Sequence, residues 1–298
     1  MSKISITGAA GFVGTNLQNY LKSSHEIVPM SVRYKPNQEF EVTADVVIHL
    51  AGKAHDLKKV SHPQDYYDAN YELTKQLFDS FINSEAKVFV FMSTVKGVAD
   101  EVRGILSEDA IPNPKTHYGI AKHQAEQYLL SHELPQGKIV YILRPCMIHG
   151  PGNKGNLNLL YKLVAKGLPW PLGAFENQRS FLSIENLCFV IKELLENNAI
   201  PSGIYQVADD ASLSTNKLIE LLGTSLNKKS RIFNIPSSWI KRGAKLGDYL
   251  HLPLNSERLQ KLTENYVVSN HKILTAMEKG LPVSTEQGLI RTFESFRE

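Results

Sequence analysis

A tyrosine and a lysine at helical spacing could exchange a proton with a bound substrate. Tyr118 and Lys122 stand four residues apart in the run Tyr-Gly-Ile-Ala-Lys, at the start of a segment with helical periodicity. Both side chains should therefore lie on one face of a helix, about 6 Å apart. An ammonium at that distance favours the phenolate and should lower the pKa of Tyr118 by about 2. The pair predicts a general acid or base, although a surface pair is the ordinary alternative.

A hydroxyl at the end of an apolar strand supports the catalytic interpretation. The run Val88 to Met92 is followed by Ser93 and Thr94. Since parallel strands present their carboxyl ends to the ligand crevice, Thr94 could hydrogen-bond the oxygen that gains or loses a proton. Glu126 is spaced to pair with Lys122 or only to stabilise the helix. We predict Thr94, Tyr118 and Lys122 as the catalytic residues.

The elements that must position these side chains alternate along the chain. Short runs rich in β-branched and aromatic residues predict strands, and the longer amphipathic segments between them predict crossover helices. The predicted strands are Ile4 to Thr7, Glu26 to Met30, Asp45 to Leu50, Lys87 to Met92 and Lys138 to Leu143. The predicted helices are Gly14 to Ser23, Tyr66 to Ser84 and Tyr118 to Ser131. This order predicts an α/β fold, a Rossmann-type doubly wound parallel sheet.

Prolines and glycines beyond Gly150 break the chain into shorter elements and predict a second, smaller domain. We expect residues 1–152 to form the dinucleotide-binding domain, with residues 183–208 rejoining its sheet as a helix and a strand. Residues 153–182 and 209–298 would form a partly discontinuous substrate-binding domain.

Glycines at three-residue intervals follow the first strand. Gly8 permits a tight turn, Gly11 lets the backbone approach a phosphate, and Gly14 lets the helix pack closely on the strand. A helix N-terminus offers free N–H groups to a pyrophosphate, whereas an ordinary strand-to-helix turn is the alternative. The predicted cofactor-binding residues of this turn are Gly8, Ala10, Gly11, Phe12, Val13 and Gly14.

The second strand lacks the acidic residue that usually holds the adenosine ribose of NAD. Ser31, Arg33 and Lys35 follow Met30 instead. A guanidinium can bind a 2′-phosphate through paired hydrogen bonds, and a carboxylate there would repel it. We therefore predict Ser31 and Arg33 as cofactor-binding residues and favour NADP over NAD, unless these cations are simply solvated.

Composition narrows the function classes. A net charge of +3 does not indicate a nucleic-acid partner. Cys146 and Cys188 lack metal-ligand spacing, so no metal site is expected and a reduced compartment is favoured. The start resembles no secretory leader, and no apolar run has the length of a transmembrane segment, so a cytoplasmic protein is expected. The basic amphipathic stretch Ser238 to Tyr249 is interpreted as a helix of the substrate domain in preference to a membrane contact.

Taken together, these motifs resemble the extended short-chain dehydrogenase/reductases of the NAD-dependent epimerase/dehydratase family, which act on nucleotide sugars. The matching elements, in the family's order, are Thr7 to Gly14, Val46 to Gly52, Asn70, Ser93 and Thr94, Tyr118 to Lys122, Leu143 to Pro145, and Gly150 to Gly152. The resemblance implies that Thr94, Tyr118 and Lys122 form a catalytic triad, with Lys122 also holding the nicotinamide ribose. It implies that His49, Leu50, Ala51 and Gly52 line the cofactor crevice, and that the protein is a homodimer.

The resemblance also implies substrate-binding residues, most of them in the second half of the chain. Arg179 and Arg258 would bind the diphosphate of a nucleotide sugar, Thr94 the sugar oxygen, and Asn156 another part of the substrate. Surface salt bridges are the alternative for both arginines. The stretch from Arg33 to Ala44 is shorter than in the family, so its adenine pocket must be built differently. Val95 and Lys96 replace the acidic pair that 4,6-dehydratases use, which argues against that reaction.

Within the family, the resemblance is strongest to enzymes that reduce the 4-keto group of UDP-4-keto-6-deoxy-N-acetylhexosamines for surface polysaccharide assembly. The alternative is a UDP-sugar 4-epimerase, resembling UDP-glucose 4-epimerase, with tightly bound NAD. The catalytic residues do not separate the two reactions. A non-catalytic dinucleotide-sensing protein is a third hypothesis, but such a protein would be expected to lose Thr94, Tyr118 or Lys122, and all three are present.

Overall fold

A computed structural model describes residues 1–54, 62–153, 155–250 and 255–297, excluding the side chain of Asn156. The strands are β1 Lys3–Thr7, β2 Glu26–Met30, β3 Val46–His49, β4 Val88–Met92, β5 Ile105–Leu106, β6 Ile139–Pro145, β7 Met147–His149, β8 Arg179–Ser183, β9 Gly203–Val207, β10 Ser212–Leu213 and β11 Val267–Val268. The α-helices are α1 Phe12–Leu21, α2 Pro63–Tyr67, α3 Leu73–Ile82, α4 His117–Leu130, α5 Asn156–Ala165, α6 Ile184–Glu196, α7 Thr215–Ser225, α8 Ser237–Leu250, α9 Ser256–Thr263, α10 His271–Met277 and α11 Thr285–Glu294.

The central sheet is parallel, with strand order β2-β1-β3-β4-β6-β9. Its strands are apolar on both faces because helices cover both sides. One face packs against α1 and α6, through residues such as Leu17 and Leu187. The other packs against α3 and α4, through residues such as Leu77 and Leu129. The prediction of a Rossmann-type doubly wound sheet is confirmed.

The register brings the predicted cofactor segments together. Thr7 at the end of β1 pairs with Met30 of β2 on one side and with His49 of β3 on the other. The glycine turn, Ser31 and the segment after His49 therefore leave the same edge of the sheet side by side, as expected for a ligand crevice at the carboxyl ends of parallel strands.

The second half of the chain forms a smaller sheet of order β10-β8-β7 and a separate apolar cluster that includes Trp170, Phe181 and Phe293. β9 instead joins the edge of the central sheet beside β6. The exact division into a cofactor domain and a substrate domain stays a prediction. No helix in the described ranges combines the length and apolarity needed to cross a bilayer.

Two local differences from the expected elements occur near the site. The single helix expected over Tyr66 to Ser84 is interrupted by a π-helical turn at Asp68–Glu72, between α2 and α3. Residues 31–45 form neither helix nor strand. Phe40 is buried in this segment, and its N–H donates to Ser80 Oγ at 3.0 Å, which fastens the segment to α3.

Candidate active site

Close packing at the start of α4 brings Tyr118 to Thr94. A β-carbon on Gly119 would lie 2.4 Å from the carbonyl oxygen of Lys96, in the 3₁₀ turn Val95–Gly97 that follows Thr94. Only a glycine allows this approach. The Thr116 hydroxyl caps α4 by accepting the N–H of Gly119 at 3.1 Å. The Thr94 hydroxyl thereby lies near enough to the Tyr118 hydroxyl to influence its pKa.

The expected lowering of the Tyr118 pKa is wrong for this structure. Burial raises the pKa of Tyr118 to about 12, and the nearby Thr94 hydroxyl only partly opposes that rise. Removal from water disfavours a phenolate, and Lys122 does not act as the compensating charge. Tyr118 therefore holds its proton at neutral pH and is set to act as a proton donor.

Lys122 lies in the interior, with its side chain 3% exposed. Its Nζ donates to the carbonyl oxygen of Met92 at 2.8 Å and lies 4.6 Å from the centre of the Phe91 ring. Burial lowers the pKa of Lys122 to about 7, although the nearby Glu126 carboxylate acts in the opposite direction. A lysine that titrates near neutral pH is typical of a functional site.

Glu126 pairs with Arg144 of β6, and not with Lys122 as the spacing allowed. Arg144 Nε and Nη2 donate to the two carboxylate oxygens at 2.9 and 2.6 Å, and Ser93 Oγ–H donates to Oε1. Burial would raise the pKa of Glu126, but the nearby side chains of His123, Arg144 and Ser93 outweigh it and hold the pKa below its ordinary value. Sequence reasoning missed Arg144 and Ser93 as parts of the site. The sequence did contain one signal for Arg144, which is a single cation at the end of an apolar run, directly before Pro145.

The glycine turn has the shape that a dinucleotide phosphate requires. Gly8 adopts a φ of +66°, and a β-carbon there would lie 2.8 Å from Ala51 N. A β-carbon on Gly14 would lie 2.4 Å from Gly8 O. Gly11 is the N-cap of α1 and has no side chain to cap it, and the first turn contains no acidic residue. The N–H groups of Phe12 and Val13 and the positive end of the helix dipole are thus available to an anion, so these residues fit the phosphates of NAD or NADP.

His49 positions the cofactor loop from beneath, because its side chain is fully buried. Thr7 Oγ1–H donates to His49 Nδ1 at 2.8 Å, since the Thr7 oxygen already accepts the N–H groups of Leu50 and Ala51. His49 Nε2–H donates to Thr74 Oγ1 at 3.0 Å, and Thr74 in turn donates to the carbonyl oxygen of Asn70. The prediction that His49 lines the crevice therefore needs correction: its ring has no exposed surface.

The same network keeps His49 neutral. Burial and, to a smaller extent, the charge of Lys122 lower the pKa of His49 to about 3. The imidazole is thus a fixed hydrogen-bonding spacer between the end of β1 and the π-helical turn. Thr7 and Thr74 were not identified from the sequence.

The π-helical turn places Asn70 against Gly52 and Lys122. A β-carbon on Gly52 would lie 2.5 Å from Asn70 Oδ1 and 3.3 Å from Lys122 Nζ. Asn70 is fully buried; its Oδ1 accepts the N–H of Lys53, and its Nδ2 donates to the carbonyl oxygens of Lys53 and Tyr66. The segment after β3 is held between the glycine turn and the lysine of the predicted triad. π turns often occur at such sites.

The predicted 2′-phosphate residues are open to solvent. Ser31 and Arg33 are both exposed just beyond β2, next to the glycine turn. Within the described ranges, Arg33 has no hydrogen bond or ion pair to another side chain. A free guanidinium at this position can bind an anion without first breaking a protein contact.

The predicted substrate residues Arg179 and Arg258 have protein partners in the second half of the chain. Arg179 begins β8 and donates from Nη1 to the carbonyl oxygen of Lys261, and its Nη2 lies 3.8 Å from Glu264 Oε1. Arg258 is exposed in α9, and its N–H donates to the N-cap Asn255 at 2.9 Å. The side chain of Asn156 lies outside the described residues. The substrate roles of these three residues stay predictions.

Known proteins resemble this chain in sequence. Residues 4–208 match the model of the NAD dependent epimerase/dehydratase family. The chain is 29% identical to UDP-glucose 4-epimerase of Vibrio cholerae, over 98% of this chain and 95% of that protein. It is 29% identical to N-acetyl-alpha-D-glucosaminyl-diphospho-ditrans,octacis-undecaprenol 4-epimerase of Escherichia coli O157:H7, over 78% of this chain and 74% of that protein.

A solved structure also shares the fold over its whole length. RMD from Pseudomonas aeruginosa, complexed with NADPH, superposes with a TM-score of 0.75 at 22% identity, covering 99% of each chain. The family match spans more than half of the chain and includes the glycine turn, Thr94, Tyr118 and Lys122. The expectation of a nucleotide-sugar enzyme type is confirmed at the level of the family: the chain belongs to the NAD-dependent epimerase/dehydratase family.

Proposed function

We propose that the chain is an NADP-dependent reductase that acts on the 4-keto group of a UDP-linked 6-deoxy-N-acetylhexosamine. The observation that carries the proposal is the exposed, unpaired guanidinium of Arg33 beside Ser31, where the ribose 2′-phosphate of NADPH would lie. A reductase must exchange its cofactor at each turnover, and NADPH is the cell's common reductant for such steps. GDP-6-deoxy-D-mannose reductase of Pseudomonas aeruginosa, 26% identical over 79% of this chain, is a relative of that reaction type.

The protonation of the site supports reduction. When bound, the nicotinamide would supply the hydride for C4. Tyr118 keeps its proton at neutral pH and can donate it to O4 as negative charge develops there. The Thr94 hydroxyl, which lies beside Tyr118, can hold the same oxygen. Lys122 lies one helical turn further along α4, where it would hold the nicotinamide ribose.

The UDP-linked substrate is proposed from relatives. UDP-2-acetamido-2,6-beta-L-arabino-hexul-4-ose reductase of Pseudomonas aeruginosa is 22% identical over 77% of this chain. Arg179 and Arg258 would bind the diphosphate, which requires Arg179 to exchange its contact with Glu264 for phosphate oxygens. Both described cysteines are free and buried, as suits an enzyme of the cytoplasm.

The first experiment is a pair of titrations of nucleotide-stripped protein with NADPH and with NADH. We expect NADPH to bind at least about tenfold more tightly, a difference of about 1.4 kcal/mol. Arg33→Ala should remove that preference. Lys87→Ala removes an exposed cation at the amino ends of the strands, just before β4, and should preserve the preference. Turnover is measured as NADPH oxidation with a UDP-4-keto-6-deoxy-N-acetylhexosamine. Equal affinity for both cofactors would contradict the cofactor assignment.

A UDP-sugar 4-epimerase with tightly bound NAD is the second candidate. The similarity to UDP-glucose 4-epimerase over nearly the whole chain favours it. An epimerase would purify with NAD, interconvert UDP-glucose and UDP-galactose, and consume no NADPH. That combination of results would overturn the reductase and establish the epimerase.

We also propose a homodimer formed through α4 and its neighbour α3. Leu130 at the end of α4 is 55% exposed, and an intersubunit contact would cover it. Sedimentation equilibrium should give twice the mass of the chain, and Leu130→Glu should lower it toward the monomer. A monomeric wild-type protein would contradict this arrangement.

A further inference from the structure

The helix α8 turns its large apolar side chains toward solvent. Its buried residues are the small Ala244 and Gly247. Trp239 is 70% exposed, Leu246 56%, Tyr249 81% and Leu250 53%. Trp239, Leu246 and Leu250 fall within about 40° of one another around the helix axis and form an apolar stripe, with Tyr249 at its edge. A helix that stabilised only the protein interior would bury these residues and expose the small ones.

Cations accompany this stripe on α8 and in the segment before it. On α8, Arg242 lies about 60° and Lys245 about 120° from Trp239 around the helix axis, on the same side as Tyr249. Lys241, Arg242 and Lys245 are exposed on α8, and Lys228, Lys229 and Arg231 are exposed in the segment that leads to it. Residues 228–250 contain six cations and one carboxylate, a net charge of +5, whereas the whole chain has a net charge of +3. That carboxylate, Asp248, accepts hydrogen bonds from the N–H and hydroxyl of Ser256. Positive charge is therefore concentrated where the apolar side chains are exposed.

The segment before α8 has the same mixed surface. An open cavity of about 620 Å³ lies between residues 164–168 and 228–233. Leu168 and Phe233 line it and are each about half exposed, together with Lys228 and Arg231. Exposed apolar and cationic groups thus continue from this cavity along the chain into α8.

We infer that α8 and residues 228–236 form a docking surface for an anionic lipid bilayer. Tryptophan and tyrosine favour the boundary between headgroups and acyl chains, and leucine enters the apolar layer below it. Lysine and arginine at the edge of such a helix are attracted to anionic headgroups. At 14 residues, α8 is too short to span a bilayer, so it would lie in the plane of the membrane surface. This inference is independent of which sugar reaction the site performs.

The test uses the full-length protein with vesicles of phosphatidylglycerol and, separately, of phosphatidylcholine. Sedimentation with vesicles should show at least tenfold tighter binding to the anionic vesicles, and the preference should fall as salt is added. Fluorescence gives a local readout, because Trp239 is exposed and Trp170 is 3% exposed. The emission should shift to shorter wavelength on vesicle binding, and Trp239→Phe should abolish the shift.

Matched variants separate a specific surface from general attraction. Leu246→Ser with Tyr249→Ser, and Arg242→Glu with Lys245→Glu, should each weaken binding to anionic vesicles by at least tenfold. The controls are Ile111→Ser with Tyr20→Ser, and Lys22→Glu with Lys87→Glu, which make the same kinds of change at exposed positions elsewhere. Circular dichroism and turnover verify folding of every variant, since none of these positions belongs to the predicted triad.

Three results would overturn the inference. The first is absence of binding to phosphatidylglycerol vesicles, and the second is equal loss of binding in the control variants. The third is a wild-type protein that does not bind vesicles but self-associates as its concentration rises, with Leu246→Ser and Tyr249→Ser together abolishing the self-association. That result would identify the stripe as a contact between copies of the chain.

Discussion

Replacing Lys122 by methionine should stabilise the fold, and the gain should shrink as the pH rises. Burial lowers the pKa of Lys122 from 10.5 to about 7, so the folded protein binds this proton less tightly than the unfolded chain does. Below about pH 7 both states carry the charge, and the folded state bears its full desolvation cost. This cost lowers the free energy of unfolding of the wild type by on the order of 5 kcal/mol, which Lys122→Met would regain. Lys122→Met also loses the hydrogen bond to the Met92 carbonyl oxygen, and this loss reduces the expected gain in stability by about 1 kcal/mol.

Above about pH 7 the sign of the pH dependence follows from proton counting. The unfolded chain then holds more protons at this site than the folded protein, so the stability of the wild type rises with pH by up to about 1.4 kcal/mol per pH unit. Lys122→Met lacks this rise. Between about pH 7 and about pH 9 the advantage of the variant should therefore fall by roughly 2 to 3 kcal/mol.

Urea unfolding followed by circular dichroism at several pH values measures this difference directly. Taking the difference between variant and wild type cancels the other groups that titrate in the same range. Lys22→Met removes an exposed lysine and should show no such pH-dependent gap. A gap between wild type and Lys122→Met that stays constant between about pH 7 and about pH 9 would show that Lys122 remains charged in the folded protein, and would refute the reasoning.

Three further substitutions test other parts of the site. Tyr118→Phe should lower turnover by about 100-fold or more while cofactor affinity is retained, with the exposed Tyr20→Phe as control; wild-type turnover in Tyr118→Phe would refute its role as proton donor. Gly52→Ala places a β-carbon 2.5 Å from Asn70 Oδ1 and should cost about 1 to 3 kcal/mol in thermal unfolding, whereas Gly243→Ala, with open space around it, should be neutral or stabilising. Arg144→Met leaves the Glu126 carboxylate buried without its ion pair and should lower the free energy of unfolding by about 3 to 5 kcal/mol. Adding Glu126→Leu should restore most of that loss. An additive loss in the double variant would mean that the pair is not coupled.

The sheet and the turn at its edge could be predicted because both depend on local signals. The strand boundaries expected from β-branched and aromatic runs agree with β1, β2 and β4 within one residue, and β6 extends two residues beyond its expected end. Gly8 and Gly14 were identifiable because each satisfies a backbone requirement that no other residue meets, and Gly11 because it completes their three-residue spacing at a tight approach to Gly8. The interruption of the helix after Pro63 was not predictable, because its cause is the burial of Asn70 against Lys53 and Tyr66.

The electrostatics of the triad could not be predicted from spacing, because spacing gives a distance and not a degree of burial. An exposed Tyr118 and Lys122 at the same separation would lower each other's cost of ionisation. In the structure Lys122 is buried and Tyr118 is partly buried, and the loss of water raises the pKa of Tyr118 and lowers the pKa of Lys122. The partner of Glu126 was equally hidden, since Arg144 comes from a strand that is distant in sequence and adjacent only after the sheet has formed.

The pairing of Glu126 with Arg144 and Ser93 explains how Lys122 can be both buried and weakly basic. Had Glu126 bonded to Lys122, the ammonium would be neutralised one turn away from Tyr118, and its pKa would be high. Arg144 and Ser93 instead occupy the carboxylate oxygens, and Lys122 Nζ remains at the Met92 carbonyl, close to Gly52. Glu126 then acts on Lys122 only through space and opposes its desolvation incompletely. The buried ion pair therefore leaves the lysine at the cofactor side of the crevice, with a charge that changes near neutral pH.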